Sequence, residues 1–342
     1  RAEDVNGLLT MEEAIDAVEA GFREWGKSPE LNAPRKRIMT PEGVRVSVHP
    51  GGIPSLGGIG VLAHSEHVAV SKEVQTYHNM GGPVTVLFDV NDASLMAILV
   101  GRVALKELPA ERPTPIRTAA TSAVGTRCLA RPDSKILGIL GAGGEAQYHL
   151  LALAKTRPFK LAKVYCRTQS TREQFCRSMA KLVPCEVAPV SSAKEVVESA
   201  DVLLTATNSN VPVFSGEWLQ SGAHVTSIMG GNVGLVRAGV AATPRRELDD
   251  TTIKRSDVIV VNSREQAIQD EQADLFGPVQ AGFLSWENVG ELGQLLNHAI
   301  PGRTSANQIT LFKNNAGQGV ADVAVASKIY SLARRNGIGM EF

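Results

Sequence analysis

The stretch Lys135-Ile-Leu-Gly-Ile-Leu-Gly-Ala-Gly-Gly-Glu-Ala146 decides the fold. Its apolar first half predicts a buried strand, and its second half is a G-x-G-x-x-A turn that opens a helix. In such a turn Gly141 permits the tight bend, Gly143 lets the backbone approach a pyrophosphate, and Ala146 lets helix and strand pack closely. The N–H groups and dipole of the helix N-terminus favour phosphate. The stretch predicts a dinucleotide site made of Gly141, Ala142, Gly143, Gly144, Glu145 and Ala146.

Strands and helices alternate on the C-terminal side of this turn. Glu145–Lys155 and Thr171–Leu182 predict helices, whereas Ala162–Cys166 and Asp201–Thr205 predict strands. Alternation of this kind is typical of a parallel sheet with helices on both faces. We therefore predict an α/β Rossmann domain in the middle of the chain.

The two ends of the chain have a different pattern. Thr10–Trp25 predicts an amphipathic helix with a capping box, and Val320–Arg335 predicts a long final helix. Strand-like segments of the first hundred residues predict a mostly antiparallel sheet, and they are Gly43–Val48, Gly58–Ala63, Val84–Val90 and Leu95–Val100. Further on, the pattern predicts a helix over Trp286–His298 and a strand over Gln308–Phe312.

Composition indicates an ordinary globular protein and excludes several function classes. The 342 residues are 43% hydrophobic and 20% charged, and 35 basic residues balance 35 acidic ones. This balance gives no reason to expect nucleic acid or an anionic membrane as a partner. The four cysteines, which include no C-x-x-C pair, favour a reducing cytoplasm and buried thiols.

The end of the second Rossmann strand bears on the choice of cofactor. An NAD enzyme usually has an acid there to hold the ribose hydroxyls, but this strand ends Val164-Tyr-Cys-Arg-Thr168. Arg167 and Arg172, with Thr168, could instead meet a 2′-phosphate. The pattern favours NADP, with NAD possible, although solvated loop arginines would give the same pattern.

A polar segment follows the strand Asp201–Thr205. Thr205, Ala206, Thr207 and Asn208 stand where the carboxyl end of a strand meets ligands in open α/β sheets. We predict that the first three contact the cofactor. A polar loop that closes the strand is the alternative for each of them.

The order of motifs resembles the ornithine cyclodeaminase/mu-crystallin family over almost the whole chain. Its landmarks are Ala33-Pro-Arg35, Val86-Leu-Phe-Asp89, Arg117-Thr-Ala-Ala120, Gly141-Ala-Gly-Gly-Glu-Ala146, Arg246-Glu-Leu-Asp-Asp250, Glu287-Asn-Val-Gly-Glu-Leu-Gly293 and Thr310-Leu-Phe-Lys-Asn314. The resemblance implies a Rossmann domain, 118–307, inserted into an α+β substrate and dimerisation domain formed by 1–117 and 308–342. It also implies a homodimer and a small amino-acid or imino-acid substrate.

The resemblance further implies hydride transfer with NAD(P) at a C=N carbon beside a carboxylate. Arg35 and Arg117 match the arginines that such enzymes use to grip the carboxylate, for which a guanidinium fork is suited. Arg37 competes with Arg35 for this role, because the two alternate along one possible strand. Thr118 is assigned to the cofactor site.

Two departures from the family pattern concern the chemistry. The family usually has Gly-Val-Lys where this chain has Gly60-Val-Leu62, and leucine transfers no proton. Five nearby groups could replace the lysine, namely His64, Glu66, His67, Lys72 and His78. His64 and His67 could also suggest a metal, but no further ligand clusters with them in sequence, and we expect none.

The second departure is Asn232, which stands where cyclodeaminases have an acid–base aspartate. Asparagine forms hydrogen bonds but accepts no proton at neutral pH. Asn232 is therefore a candidate for the catalytic site of an imine reductase or amino-acid dehydrogenase, rather than of a cyclodeaminase. Because Leu62 replaces the lysine, a non-catalytic NADPH-bound protein for small ligands, like mu-crystallin, is a further alternative.

Overall fold

The computed structural model describes residues 2–71, 74–78, 82–108, 116–239, 241–315 and 317–340. The chain divides into two compact units. The first consists of residues 1–71, 75–121 and 317–342, and the second of 72–74 and 122–316. The second unit is thus inserted in sequence between two segments of the first, and its start lies four residues beyond the predicted 118.

A six-stranded sheet forms the centre of the first unit, and its strand order is β1-β2-β3-β5-β6, with β4 paired to β3. The strands are β1 (Lys36–Met39), β2 (Val44–Ile53), β3 (Gly58–Ser71), β4 (Val74–His78), β5 (Val84–Asp89) and β6 (Leu95–Val100). Each pair along the β1-to-β6 path is antiparallel. The predicted antiparallel sheet is confirmed, and the structure adds β1 and β4 to it.

Helices α1 (Met11–Trp25) and α11 (Gly319–Arg335) belong to the same unit, and α2 (Ile116–Leu129) contains the boundary at 121. The N-terminus of α11 touches β2 backbone to backbone. A Cβ on Gly51 would lie 2.2 Å from the backbone of Gly319, and one on Gly319 would lie 1.9 Å from the carbonyl oxygen of Pro50. Only glycine allows this approach, which brings the first turn of α11 onto the strand.

The second unit contains an eight-stranded sheet whose registered pairs are all parallel. Its strands are β7 (Ile136–Leu140), β8 (Leu161–Tyr165), β9 (Glu186–Pro189), β10 (Val202–Thr205), β11 (His224–Ser227), β12 (Val258–Val261), β13 (Val289–Glu291) and β14 (Thr310–Lys313). The order is β13-β12-β14-β11-β10-β7-β8-β9. The strand order reverses between β7 and β10, as in a Rossmann sheet. The predicted Rossmann fold is confirmed.

Within the described residues, eight α-helices lie wholly inside this unit. They are α3 (Gly144–Leu153), α4 (Gln169–Met179), α5 (Ala193–Ser199), α6 (Val233–Arg237), α7 (Asp250–Arg255), α8 (Arg264–Gln269), α9 (Ala273–Gln280) and α10 (Leu292–Leu296). Apolar residues of the sheet and of its helices share one core, which includes Leu203, Val225 and Leu311.

Two sequence predictions differ from the structure near the end of this unit. The predicted helix Trp286–His298 is a 3-10 turn over Trp286–Asn288, then β13, then α10. The three residues of β13 are too few to show the alternation of a strand in the sequence. Their strand conformation depends on parallel pairing with β12. The predicted boundary at 308 also moves. Because β14 pairs with β11 and β12, residues 308–316 belong to the Rossmann unit.

None of the helices in the described part of the chain is both long and apolar enough to cross a bilayer.

Candidate functional site

The turn after β7 has the geometry that the glycine motif predicts. Gly141 has a φ of 118°, a backbone conformation that residues other than glycine rarely adopt. A Cβ there would lie 2.2 Å from the carbonyl oxygen of Ala206, on the segment after β10. The turn therefore lies at the point where the strand order reverses, which is where open α/β sheets bind ligands.

Gly143 and Gly144 have no such packing reason to be glycine. A Cβ on either residue would meet no protein atom within 4 Å. Gly143 is the N-cap of α3 and forms no side-chain cap, while Ala146 is fully buried against the sheet. An open turn at the N-terminus of a ten-residue helix fits a pyrophosphate, because the backbone N–H groups can approach the phosphate oxygens. Glu145, in the first turn of α3, is half exposed.

Of the two arginines after β8, one contacts the protein and the other is exposed. Arg172 donates to the carbonyl oxygen of Cys166 at 3.0 Å, and its guanidinium carbon lies 5.5 Å from the ring centre of Tyr165. Arg167 is exposed, and Thr168 is the exposed N-cap of α4. Arg167 is thus the cation of this loop that a 2′-phosphate could reach, while Arg172 supports the loop.

Glu247, which the sequence analysis missed, organises the segment after β10. Its buried carboxylate accepts hydrogen bonds from the hydroxyl of Thr205 at 2.9 Å and from the backbone N–H and hydroxyl of Thr207 at 2.7 and 2.6 Å. Ser227 also donates to it at 3.3 Å. Both threonine hydroxyls are therefore used inside the protein. The cofactor contacts predicted for Thr205, Ala206 and Thr207 stay predictions.

An ion pair lies next to Glu247 in the second unit. Lys313 Nζ is 2.7 Å from Asp274 Oδ2, and both side chains are wholly buried. Lys313 also donates to Ser227 Oγ at 2.8 Å, and Asp274 Oδ1 accepts from the backbone N–H of Glu247 at 2.9 Å. The carboxyl ends of β11 and β14 are thus joined by a buried polar network.

Asn232 is used by the loop that follows it. Its Oδ1 accepts from the backbone N–H of Arg245 at 2.8 Å, and its Nδ2 donates to the carbonyl oxygen of Thr243 at 3.3 Å. Both polar atoms of the buried amide therefore hold the loop between α6 and α7. The catalytic role assigned to Asn232 stays a prediction.

The first unit brings Arg117 together with two residues that the sequence analysis did not select. Arg117 Nε donates to Asp322 Oδ1 at 2.7 Å, and Asp322 Oδ2 is 2.8 Å from His49 Nδ1. Asp322 is the fourth residue of α11, and His49 lies two residues before Gly51 on β2. The close approach of Gly319 to Gly51 therefore brings the carboxylate of Asp322 to the imidazole of His49. Thr118 also accepts a hydrogen bond from Arg117.

Arg35 joins this cluster through Gly317. A Cβ on Gly317 would lie 2.3 Å from Arg35 Nη1 and 3.2 Å from His49 Cε1, so the two side chains flank the glycine. Arg35 and His49 are both buried. The arginine cluster, which we define as Arg35, Arg117, His49 and Asp322, thus contains both arginines predicted to bind a carboxylate.

Burial and the two arginines set the charges of this cluster. Burial lowers the pKa of His49 below its ordinary value, although Asp322 opposes that shift. Burial would raise the pKa of Asp322, but Arg117 and His49 outweigh it and the pKa is lowered. The two guanidinium groups supply the cluster with donors that suit an anion.

The residues considered as replacements for the lysine lie in different places. His64 lies against His49, with ring centres 5.3 Å apart, whereas Glu66 pairs with Arg45 and the exposed His67 contacts the carbonyl oxygen of Glu42. Lys72 and the side chain of His78 lie outside the described residues. The described residues contain no cluster of three or more histidine, cysteine or carboxylate groups able to hold a metal.

A model of the ornithine cyclodeaminase/mu-crystallin family matches residues 1–337. The chain belongs to this family. The ketimine reductase mu-crystallin of Mus musculus is 30% identical over 325 residues, which cover 92% of this chain and 90% of the relative. The Δ1-pyrroline-2-carboxylate reductase of Bacillus cereus is 28% identical over 343 residues, or 99% and 97% of the two chains.

A solved structure extends this family likeness to the fold. It is that of the Thermococcus litoralis Δ1-pyrroline-2-carboxylate reductase in complex with NADH and L-proline. It matches with a TM-score of 0.80 at 26% identity, covering 99% of this chain and 98% of that one. The family resemblance drawn from the short motifs is therefore confirmed along the chain.

Proposed function

We propose that this protein is an NAD(P)-dependent oxidoreductase that reduces an α-imino acid, or oxidises the corresponding amino acid. The observation that carries the proposal is the arginine cluster, in which Arg117 pairs with the buried carboxylate of Asp322 while Arg35 and His49 flank Gly317. A substrate carboxylate would accept charge-assisted hydrogen bonds from these two guanidinium groups. Hydride transfer then takes place at the carbon beside the carboxylate.

The relatives support the same reaction class. Two of the proteins named above are reductases of a ketimine and of Δ1-pyrroline-2-carboxylate, and both names describe reduction of a C=N bond. The Thermococcus litoralis enzyme holds NADH and L-proline. We take Δ1-pyrroline-2-carboxylate as the first substrate to test.

The open turn at Gly143 and Gly144 fits a dinucleotide, and when bound the nicotinamide supplies the hydride. NADP is our preferred cofactor, because exposed Arg167 stands at the end of β8 where an NAD enzyme usually has an acid. NAD is the alternative, and the Thermococcus litoralis relative holds NADH. The ratio of the two dissociation constants decides between them.

Two alternatives to an imine reductase are a cyclodeaminase and a non-catalytic NADPH-bound protein. Cyclodeamination of ornithine is disfavoured, because Asn232 stands in place of an acid–base aspartate and is held by backbone groups of its loop. A non-catalytic NADPH-bound protein is favoured by Leu62, which cannot transfer a proton. Tight NADPH binding without turnover would support that alternative.

We also propose a homodimer, formed through the face of the antiparallel sheet that points away from α11. Cross-strand neighbours on this face are apolar and exposed, and they include Ile59, Phe88, Leu95 and Ile98. An apolar face of this kind marks an interaction surface. The four cysteines are free thiols, in keeping with a cytoplasmic enzyme.

The test combines cofactor binding with turnover. NADPH and NADH are titrated by fluorescence, and cofactor absorbance is then followed with Δ1-pyrroline-2-carboxylate and with α-keto acids plus ammonia or methylamine. We expect binding and substrate-dependent oxidation of the cofactor. Binding without turnover across the panel would refute the reductase proposal.

A matched pair of variants ties binding to the glycine turn. Gly143→Ala puts a Cβ where the pyrophosphate approaches, and such overpacking costs about 1–3 kcal/mol, or about 5- to 150-fold in Kd. Gly277→Ala is the control, since it also adds a Cβ with no neighbour within 4 Å. If both variants bind the cofactor equally, the turn is not the pyrophosphate site.

A further inference from the structure

The position that lacks the lysine has a histidine directly across the sheet. In the antiparallel pair of β2 and β3, Leu62 is registered opposite His49, and Ser47 is registered opposite His64. Directly opposed residues share one face of the sheet with their Cβ atoms about 5 Å apart. His49 therefore presents an ionisable group within one residue width of Leu62.

His49 is also the histidine that has a carboxylate partner. Its Nδ1 lies 2.8 Å from Asp322 Oδ2, and the same carboxylate accepts from Arg117 Nε at 2.7 Å. A carboxylate on Nδ1 fixes the tautomer and stabilises the imidazolium when it forms. His64 contacts the ring of His49, and the hydrogen bond to the Asp322 carboxylate belongs to His49.

Nε2 of His49 is the atom left for chemistry. Within the described residues, the hydrogen bond of this ring goes through Nδ1. The ring also flanks Gly317 together with Arg35, so the imidazole lies beside both arginines of the cluster. A molecule whose carboxylate is bound by Arg35 and Arg117 would have its neighbouring C=N group within a few atoms of the imidazole.

We propose that His49 is the acid–base group of the reaction, with Asp322 as the residue that positions it. This inference rests on the proposed function. In the direction of reduction, Nε2–H of the imidazolium gives its proton to the imine nitrogen. Asp322 remains a carboxylate throughout, hydrogen-bonded to Nδ1.

The step balances in atoms and electrons. The hydride that the cofactor supplies forms a C–H bond at the imine carbon, and the π electron pair of C=N moves onto nitrogen. That pair takes the proton from His49, which becomes neutral, and solvent returns a proton to the imidazole. The substrate gains two electrons and the nicotinamide loses two. In the reverse direction neutral His49 accepts the proton of the amine.

The groups around His49 influence the pKa of its imidazole in opposite directions. Asp322 on α11 favours the imidazolium, whereas Arg117 on α2 and Arg35 before β1 disfavour it; His64 on β3 lies against the ring. Burial is the largest influence on the pKa of His49 and lowers it. Burial, and next His49, lower the pKa of His64 to about 4. Reduction should therefore become slower as pH rises through the pKa of His49.

His49→Gln tests the assignment, and His64→Gln is the matched control on the neighbouring strand. With Δ1-pyrroline-2-carboxylate and NADPH, we expect His49→Gln to lower kcat by about 100- to 10,000-fold with KM changed much less. The profile of log kcat/KM against pH should lose one ionisation in His49→Gln and keep it in His64→Gln. An ionisation of the substrate would be present in all three proteins, so it cannot be mistaken for His49.

A second set of measurements does not depend on turnover. Nitrogen NMR of the wild-type protein should show His49 as the tautomer with its proton on Nδ1, while titration of NADPH shows the same Kd in wild type and His49→Gln. Turnover by wild type establishes the proposed function independently of the proton donor. If His49→Gln keeps kcat within threefold or retains the ionisation, or if the His49 proton lies on Nε2, the assignment is overturned.

Discussion

Replacing the partners of the buried ion pair one at a time should have unequal effects. Lys313 and Asp274 are wholly buried, with Nζ and Oδ2 2.7 Å apart. Asp274 also accepts from the backbone N–H groups of Glu247 and Leu248 at 2.9 and 3.0 Å. The other hydrogen bond of Lys313 within the described residues goes to the hydroxyl of Ser227. Without Asp274, the ammonium of Lys313 keeps one hydroxyl partner, whereas without Lys313 the carboxylate of Asp274 keeps two backbone donors. Loss of Asp274 therefore leaves the less well compensated buried charge.

The magnitudes follow from that difference. Asp274→Asn keeps an oxygen for the two backbone donors but leaves the ammonium with one hydroxyl, and breaking a buried pair in this way costs about 3–5 kcal/mol. Lys313→Met leaves a carboxylate that still accepts hydrogen bonds, each of about 1.5–3 kcal/mol, so we expect a loss of about 1–3 kcal/mol. For a unit of this size, each kcal/mol lowers Tm by about 2–4 °C.

The assay is thermal and urea unfolding of wild type, both single variants and the double variant, without cofactor. We expect Asp274→Asn to be the least stable, and the double variant to be more stable than Asp274→Asn because it no longer buries an unpaired cation. Glu198→Gln is the control, since its pair with Lys194 is exposed and worth less than about 1 kcal/mol. A Lys313→Met variant as unstable as Asp274→Asn would refute the reasoning.

Two further predictions concern pH and substrate affinity. Burial lowers the pKa of His149 from 6.5 to about 4, so between those values the unfolded chain binds a proton that the folded chain does not. As the pH is lowered from 6.5 to about 4, the free energy of unfolding should therefore decrease by about 1.4 kcal/mol per pH unit. His149→Gln should remove that part of the pH dependence in urea unfolding. An unchanged dependence would contradict the assignment. Gly317→Ala places a Cβ 2.3 Å from Arg35 Nη1 and should raise KM for the imino acid at least tenfold without changing the Kd of NADPH, and an unchanged KM would separate Arg35 from substrate binding.

The dinucleotide turn could be predicted because every residue of it is local in sequence. Gly141, Gly143 and Ala146 each have a requirement that one or two neighbours impose, and the structure has φ of 118° at Gly141 and full burial at Ala146. The three-residue strand β13 could not be predicted in the same way. Its place depends on pairing with β12, about 30 positions earlier in the chain, and no local period reports that pairing.

The arginine cluster was only half predictable. Arg35 and Arg117 came from motif resemblance, whereas His49 and Asp322 are 273 positions apart and no spacing joins them. A signal did exist in α11, where Asp322 is the single charged residue of the run Gly319–Ser327. A carboxylate inside an apolar helical run has to find a cation or hydrogen-bond donors. The run therefore contains a signal for a buried partner, without telling which residue it is.

The role that we propose for His49, in place of the lysine expected at Leu62, follows from the geometry of the sheet. Residues directly opposed on β2 and β3 share a face, so a functional group can move from one strand to the other without leaving the site. The two groups differ in reach, because lysine has four methylenes and histidine has one. His49 compensates because Gly51 and Gly319 let α11 touch β2, which brings Asp322 against the ring. Enlarging Gly51 should therefore separate Asp322 from His49 and slow proton transfer, although neither residue is changed.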